Sequence, residues 1–260
     1  MNIVVCIKQV PDTTKVKTDQ KTGRLIRKGV LSTINPFDMY ALEEALVIKE
    51  KYGVKITVLS MGPPQAKHCL EFALSMGCDE AYLVSDRKFA GADTLATSYT
   101  IGCAIKKIKN FDLVLCGLKT IDGDTGQVGA GIAEFLKIPV IYYVDRIKKI
   151  NQDRVIVRRE LDDRTQTISS KLPCVISVLK GQNIPRMPSM KTMIESRNKK
   201  IKILTSEKLE TDPDRIGLEG SPTNVLRVFE PGKKAHGKII RKCPEELAEK
   251  LCGCLKKRSK

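Results

Sequence analysis

The chain has 260 residues, enough for one large domain or for one domain with a smaller appendage. Its apolar content is ordinary for a globular protein, and no apolar run approaches the roughly 20 residues that span a bilayer, which excludes membrane insertion. The formal net charge is +16, and from Arg186 onward 19 basic residues stand against 10 acidic ones. This basic end lacks the interleaved aromatic residues of a nucleic-acid surface, so it favours an acidic protein partner or a solvated surface instead.

The amino terminus and the cysteines favour a reducing compartment. Residues 1–8 contain an apolar run of only about five residues, too short for a secretion signal, so we expect a cytoplasmic protein. The nine cysteines lie mostly within apolar stretches, which is typical of buried free thiols. Cys252 and Cys254, with Cys243 nearby, do not have the spacing of a zinc or iron–sulfur motif, and we expect no metal there.

Short β-branched runs alternate with helical patterns through the first part of the chain. They predict strands at 2–7, 54–60, 81–84, 112–116 and 138–143, and helices at 36–51, 63–76, 94–107 and 124–135. Asn35 and Asp93 are the expected N-caps of two of these helices. The alternation predicts right-handed βαβ units and a parallel sheet, with ligands bound at the carboxyl ends of the strands. The loops expected to meet there follow Cys6, Ser60, Val84 and Cys116.

The pattern changes after about residue 144. Residues 154–160, 165–170 and 174–179 resemble antiparallel strands, with a turn at Asp162-Asp163. We expect a long loop over 180–200, little regular structure over 209–237, and a short helix over 244–255. The predicted fold class is α/β, a doubly wound mostly parallel sheet with an antiparallel extension and an extended C-terminal arm. An α/β domain is expected over residues 1–200 and an arm that contacts a partner subunit over 201–260.

The segment Gly117 to Gly131 follows a strand and opens a helix. Glycines let a backbone approach a ligand closely, and the amides of Thr125, Gly126 and Gln127 at the helix start can hold a phosphate. Asp122 and Asp124 would repel a phosphate, so they are expected to cap the helix, with Asp124 paired to Gln127, or to bind ribose hydroxyls. The segment is neither a Walker loop nor GxGxxG. A glycine-rich turn with close helix–sheet packing is the alternative.

Residues 85–98 also follow a strand and open a helix at the same expected edge. They offer a capped helix start, a flexible Gly91 and the hydroxyl groups of Ser85, Thr94 and Thr97; an ordinary capped helix is the alternative.

No catalytic residue is expected. His68 and His236 have no Ser or Cys partner that would suggest a triad, and the carboxylates show no pairing that acid–base catalysis would need.

Several motifs are spread along almost the whole chain. They are Val5-Cys6-Ile7-Lys8-Gln9-Val10-Pro11-Asp12, Asn35-Pro36-Phe37-Asp38, Met61-Gly62-Pro63-Pro64-Gln65, Ala73-Leu74-Ser75-Met76-Gly77, Ile121-Asp122-Gly123-Asp124-Thr125-Gly126-Gln127, Leu172-Pro173 and Pro185-Arg186. Together they resemble the electron-transfer flavoprotein β (small) subunit. The resemblance implies a heterodimer with a larger α subunit that carries a flavin. Conventional β subunits hold a structural AMP, whereas in flavin-bifurcating members the ADP part of a second FAD takes that place.

Residues 85–98 resemble the flavin-bifurcating type, because conventional members lack their Ser-Asp-Arg…Gly-Ala-Asp-Thr pattern. The motif Pro11-Asp12-Thr13 also resembles that type, because many conventional members have an aromatic residue near Thr13. The resemblance implies that NADH reduces the β-subunit FAD. One electron then passes to ferredoxin, and the other passes through the α-subunit flavin to a flavin dehydrogenase. The chain would act not alone but within an NADH- and ferredoxin-linked bifurcating complex of anaerobic metabolism. A conventional AMP-holding subunit that does not oxidise NADH is the alternative, and a nucleotide-binding regulatory module unrelated to redox chemistry is a third hypothesis.

The resemblance also implies the cofactor-binding residues by position. The adenosine–phosphate end would be lined by Cys6, Asn35, Asp38, Met61, Gly117, Asp122, Gly123, Asp124, Thr125, Gly126, Gln127 and Val128. The isoalloxazine or nicotinamide would be approached by Ser85, Phe89, Gly91, Asp93, Thr94 and Thr97. The motif Gly220-Ser221-Pro222-Thr223 is expected to reach the partner subunit.

Overall fold

A computed structural model of the protein describes residues 1–11, 17–18, 25–26, 32–223, 226, 240–241 and 243–258. The chain divides into two compact units, Met1–Leu226 and Arg227–Lys260. The boundary expected at residue 200 therefore falls inside the first unit, which gains a strand and a helix after that point. Of the motif Pro11-Asp12-Thr13, Asp12 and Thr13 lie outside the described residues, so the departure from conventional members near Thr13 stays a prediction.

Both units contain regular elements. The strands are β1 (Asn2–Cys6), β2 (Gln9–Pro11), β3 (Lys17–Thr18), β4 (Leu25–Ile26), β5 (Ser32–Ile34), β6 (Lys55–Met61), β7 (Glu80–Val84), β8 (Leu113–Gly117), β9 (Val140–Ile150), β10 (Arg154–Glu160), β11 (Thr165–Lys171), β12 (Cys174–Val178) and β13 (Ile201–Leu204). The α-helices are α1 (Pro36–Tyr52), α2 (Lys67–Met76), α3 (Thr94–Ile108), α4 (Val128–Leu136), α5 (Met190–Ser196), α6 (Ser206–Leu209) and, in the second unit, α7 (Pro244–Arg258). None of the helices in the described ranges is long and apolar enough to cross a membrane.

A nine-stranded sheet forms the centre of the first unit, in the order β11-β10-β9-β12-β8-β1-β6-β7-β13. Within the series β9-β12-β8-β1-β6-β7-β13, every pair of neighbouring strands is parallel. The strands β9, β10 and β11 form an antiparallel meander at the other side of the sheet. Helices α1 and α2 pack on one apolar core, and α3 and α4 pack on a second core across the sheet. The predicted doubly wound, mostly parallel α/β fold with an antiparallel extension is confirmed.

The loops that follow β1, β6, β7 and β8 meet at one edge of the sheet, as predicted. These four strands are parallel and adjacent, so their carboxyl ends point the same way. The loop after β6 joins the end of β7 through a hydrogen bond from the Gly62 amide to the Val84 carbonyl at 3.0 Å. The loop after β1 joins the loop after β8 through Lys8 and Asp122, whose closest side-chain atoms lie 2.7 Å apart.

The strand β12 corrects the expectation for residues 174–179. It lies between β8 and β9 and is parallel to both, not antiparallel. All five of its residues are buried, which is typical of a central parallel strand covered on both faces. The antiparallel pairing of β10 with β11, and the bend at Asp162 and Asp163 between them, are as predicted.

The short strands β2 to β5, the helices α5 and α6 and the strand β13 occupy stretches that the sequence pattern did not predict as regular. Helix α5 lies within the expected loop over 180–200, where Ser189 and Thr192 form a reciprocal capping box at its start. Strand β13 extends the sheet beyond β7, with Ile201 beside Ala81. The parallel sheet therefore ends in a strand that comes late in the chain.

Candidate functional site

Asn35 connects the start of α1 to the loop after β8. Asn35 is the N-cap residue of α1, as predicted, but its fully buried side chain makes no capping hydrogen bond to the helix. Instead Nδ2 donates to the carbonyl of Lys119 at 2.8 Å, and Oδ1 accepts from the amide of Ile121 at 3.3 Å. A buried amide that is bonded at both ends fixes the path of the loop.

Asp38 lies in the first turn of α1, against the end of β8. Its carboxylate is buried and accepts from the amide of Lys8 at 2.8 Å. Burial raises the pKa of Asp38 to about 7, although hydrogen bonds from Asn35 and from the backbone of Lys8 and Gly117 oppose the rise. A Cβ atom on Gly117 would overlap the Asp38 carboxylate and lie 2.6 Å from the carbonyl carbon of Phe37. Glycine is therefore required where β8 enters the loop.

Cys6 and Cys116 are register partners at the ends of β1 and β8. Both lie on the sheet face covered by α3 and α4, and Met61 at the end of β6 packs on the same core. Burial raises the pKa of both thiols, that of Cys116 to about 12, with the charge of Asp38 adding to the rise. These protonated thiols, of which Cys116 is buried and Cys6 partly buried, form an apolar wall and are not nucleophiles.

Each aspartate of the loop after β8 is paired with a lysine. The Nζ atom of Lys8 lies 2.8 and 2.7 Å from the two carboxylate oxygens of Asp122, and Nζ of Lys119 lies 2.7 Å from Oδ1 of Asp124. Burial tends to raise the pKa of Asp122. The hydrogen bonds and the charge of Lys8 outweigh burial and hold this pKa below its ordinary value. The paired carboxylates repel a nearby anion less than unpaired ones would.

Helix α4 begins at Val128, not at residue 124 as predicted. Asp124 has a left-handed φ of 54°, and the N-cap residue Gln127 makes no side-chain capping bond, so the expected Asp124–Gln127 pair is wrong. Thr125, Gly126 and Gln127 precede the helix, and in the described part of the chain their amides have no hydrogen-bond acceptor. With the amides of Val128 and Gly129 at the start of α4 they form a group of open donors that suits an anion.

Asp93 caps α3, as predicted. Its Oδ1 accepts from the amides of Leu95 and Ala96 at 2.9 and 3.1 Å. Its Oδ2 accepts from the amide and the hydroxyl of Thr223 at 3.2 and 2.8 Å, and its own amide donates to the hydroxyl of Ser221 at 2.8 Å. The motif at 220–223, which we expected to reach a partner, therefore holds the start of α3 within its own chain.

The start of α3 lies next to the loop after β8. The hydroxyl of Thr94 is 3.4 Å from that of Thr125. Ser85 and Thr97 are partly exposed, and Gly91 has a φ of 78°. Phe89, by contrast, packs in the core beneath α3 and is buried. The structure thus brings Thr94 to the loop, whereas Phe89 faces the core.

Two residues that the sequence did not single out complete the site. Lys8 pairs with Asp122, and its position directly after β1, at the expected ligand edge, was a usable signal. Tyr142 on β9 accepts from the amide of Ala130 in the first turn of α4 at 2.8 Å. No local signal predicts this contact, because it depends on how β9 lies relative to α4.

No metal site was found where the structure describes the chain: no group of three or more His, Cys, Asp or Glu side chains could hold an ion. Cys243, Cys252 and Cys254 are exposed free thiols. The chemistry that the edge of the sheet offers is anion binding by backbone amides.

Comparisons of the sequence with known proteins assign the chain to a family. The electron transfer flavoprotein domain matches residues 22–209. The electron transfer flavoprotein subunit beta of Thermoanaerobacterium thermosaccharolyticum is 49% identical over 256 residues, which cover 96% of this chain and 98% of that protein. The caffeyl-CoA reductase-Etf complex subunit CarD of Acetobacterium woodii is 49% identical over 241 residues, 92% of each chain. The acryloyl-CoA reductase electron transfer subunit gamma of Anaerotignum propionicum is 41% identical over 258 residues, 96% of each. This protein therefore belongs to the electron transfer flavoprotein family, as a β-type subunit that serves electron transfer.

Proposed function

We propose that this chain binds FAD at the carboxyl edge of its sheet and, paired with an α subunit, oxidises NADH. In this proposal the electrons divide between ferredoxin and an α-subunit flavin that feeds a dehydrogenase. The observation that carries the proposal is the 49% identity, over 92% of the chain, to a subunit whose name places it in a caffeyl-CoA reductase–Etf complex. The relative named as an acryloyl-CoA reductase electron transfer subunit supports the same kind of partner. The NADH and ferredoxin steps rest on the resemblance of residues 85–98 to bifurcating members.

The open amides before α4 would hold the phosphate groups of the nucleotide. Thr125, Gly126 and Gln127 supply N–H donors, and the start of a helix carries a partial positive charge that favours an anion. Lys8 and Lys119 offset the two loop aspartates that would otherwise repel a phosphate. The donor set therefore fits the phosphate end of an adenine nucleotide.

The adenosine end would rest on the buried junction between α1 and β8. Asn35 fixes the loop, Gly117 permits close approach of the backbone, and Cys6 and Met61 provide an apolar wall. Both carboxylate oxygens of Asp93 already accept hydrogen bonds within the chain, so in this proposal Asp93 positions the start of α3 and does not itself contact the cofactor. A bound flavin supplies the redox chemistry, while the chain binds and orients it.

Anaerobic reduction of the purified heterodimer tests the proposal. If the β subunit carries a flavin that accepts hydride, then NADH alone should bleach the oxidised flavin band, and ferredoxin should become reduced when the dehydrogenase and its acceptor are added. A conventional subunit with AMP is the alternative. In that case the flavin band persists after NADH is added and bleaches only with a reduced dehydrogenase. A colourless protein that is stable without an α subunit would indicate a regulatory module and contradict both.

A further inference from the structure

The hydroxyl of Tyr142 serves as the missing cap of α4. Gln127 makes no side-chain bond to the helix, but the Tyr142 hydroxyl accepts from the amide of Ala130, the third helical residue, at 2.8 Å. This amide is one of those that helix geometry leaves unpaired. A Cβ on Gly129 would lie 2.9 Å from the same hydroxyl oxygen. The phenol oxygen is therefore held tightly against the first turn of α4.

The Tyr142 hydroxyl keeps one proton to donate. A tyrosine hydroxyl both accepts and donates, and the bond from Ala130 uses only its acceptor side. Among the described residues no acceptor for the remaining proton is found. Burial raises the pKa of Tyr142 to about 12, and the neighbouring Cys116 adds to the rise, so the proton stays on the oxygen at neutral pH. An unused donor thus lies beside the open amides before α4.

A second unused hydroxyl lies on the same face of the sheet. Ser177 on β12 is level with Cys116 on β8, and its fully buried oxygen has no hydrogen-bond partner in the described structure. Its neighbours Ile176 and Val178 belong to the core on the α1–α2 side, so Ser177 faces α3 and α4. Buried polar groups without a partner are rare and need an explanation. Within the described chain, Ser177 on β12 and Tyr142 on the neighbouring β9 thus place two hydroxyl groups without an acceptor on the side of the sheet that α4 covers.

We infer that Tyr142 is a nucleotide-binding residue, whose hydroxyl donates a hydrogen bond to a phosphate oxygen held at the start of α4 while accepting from Ala130. This inference rests on the proposed nucleotide site. The phosphate is then bound from the loop side by backbone amides and from the sheet side by the phenol. A bond to a charged oxygen is stronger than a neutral one, and a hydroxyl that already accepts an N–H is a better donor. Tyr142 therefore selects for the phosphate, not for the adenosine.

Calorimetric titration of the full chain with AMP and with adenosine tests the inference. Tyr142→Phe removes the hydroxyl and keeps the ring. AMP affinity should fall about tenfold, the usual effect of losing a hydrogen bond to a charged group, and adenosine affinity should not change. Tyr143→Phe is the matched control, because its exposed ring lies 6.0 Å from that of Tyr142. This control should leave both affinities unchanged.

The comparison of the two ligands separates a phosphate contact from a structural role. An equal loss of AMP and adenosine affinity in Tyr142→Phe, or no loss at all, overturns the inference. If that variant folds poorly, Gly129→Ala decides: its Cβ would lie 2.9 Å from both the Tyr142 hydroxyl and the Cys116 sulfur, and a displaced hydroxyl should again weaken AMP and not adenosine. A wild-type chain that binds neither AMP nor FAD would refute the proposed function itself. If the wild-type chain binds these nucleotides, and Tyr142→Phe and Gly129→Ala bind AMP as tightly as wild type does, only the role of Tyr142 is refuted.

Discussion

Lys8 and Asp122 join two loops that are 114 positions apart in the sequence, through two contacts of 2.8 and 2.7 Å. Both side chains are partly exposed, with 44% and 31% of their surface accessible, so the pair contributes at most about 1 kcal/mol to stability. Its main effect is on charge. The positive charge of Lys8 offsets the negative charge of Asp122, which is only a few residues along the chain from the open amides of Thr125, Gly126 and Gln127.

Removing the lysine should weaken phosphate binding without unfolding the protein. In Lys8→Met the unpaired Asp122 repels the phosphate. Two like charges at short range in water repel by roughly 1 kcal/mol, so AMP affinity should fall about fivefold. The double variant Lys8→Met/Asp122→Asn should recover most of the lost affinity, because the repelling charge is gone. Titration calorimetry with AMP measures both. If the double variant binds as weakly as Lys8→Met, Lys8 contacts the nucleotide directly and the charge argument is wrong.

Gly117 should be intolerant of a side chain. Gly117→Ala places a Cβ against Asp38 and 2.6 Å from the carbonyl carbon of Phe37, so the free energy of unfolding should fall by about 1–3 kcal/mol. Gly123→Ala in the same loop is the matched control, since the nearest atom to its Cβ is the Thr120 hydroxyl at 3.4 Å, and it should change stability by less than about 0.5 kcal/mol. Urea unfolding compares the two. Equal stability of Gly117→Ala and Gly123→Ala would refute the packing argument.

Asn35 should control the order of the loop after β8. Asn35→Ala removes the donor to Lys119 and the acceptor of Ile121, at a cost of about 1–3 kcal/mol for buried groups left unpaired. Amide hydrogen exchange at Ile121 should accelerate. Asn151→Ala, at an exposed asparagine between β9 and β10, should leave that exchange rate unchanged. Unaltered protection of Ile121 in Asn35→Ala would show that the loop does not depend on this side chain.

Sequence patterns predicted β1, β6, β7, β8 and the helices α1, α2 and α3 closely, because each has a local cause, whereas the short strands β2 to β5 were not predicted. An apolar run marks each strand, Asp93 caps α3, and Gly77 ends α2 at the expected residue. The predicted meeting of loops at the carboxyl edge followed from the parallel arrangement alone. The region of the candidate site was therefore predictable as soon as the alternation of strands and helices was recognised.

Contacts between distant residues explain what the sequence could not predict. Asn35 has the local appearance of a cap, but its side chain bonds a loop 84 positions away. Asp124 has the appearance of a cap too, but it adopts a left-handed conformation and pairs with Lys119, which moves the start of α4 to Val128. The direction of β12 depends on its partners β8 and β9, which a local pattern does not specify.

Asp38 should make stability depend on pH. Burial raises its pKa to about 7, against about 4 in an unfolded chain. The folded protein therefore keeps a proton that the unfolded chain releases, so this group contributes stability at low pH that is lost as pH rises from about 4 to about 7. The loss levels off above the folded pKa, and its full size is about 4 kcal/mol.

The variant Asp38→Asn should not show this loss. The difference in unfolding free energy between Asp38→Asn and wild type should therefore shift in favour of the variant between about pH 4 and about pH 7, and stay constant above. Urea unfolding of both proteins at several pH values measures the difference. Parallel pH profiles for the two proteins would show that the carboxyl group of Asp38 titrates as it does in water.

In the proposed function, the loop from Gly117 to Gly131 holds the ADP part of a second FAD. Cofactor extraction from the purified heterodimer, followed by chromatographic quantification, measures this most directly. We predict two FAD and no AMP per heterodimer. One FAD and one AMP per heterodimer would contradict the claim and make the chain a conventional β subunit.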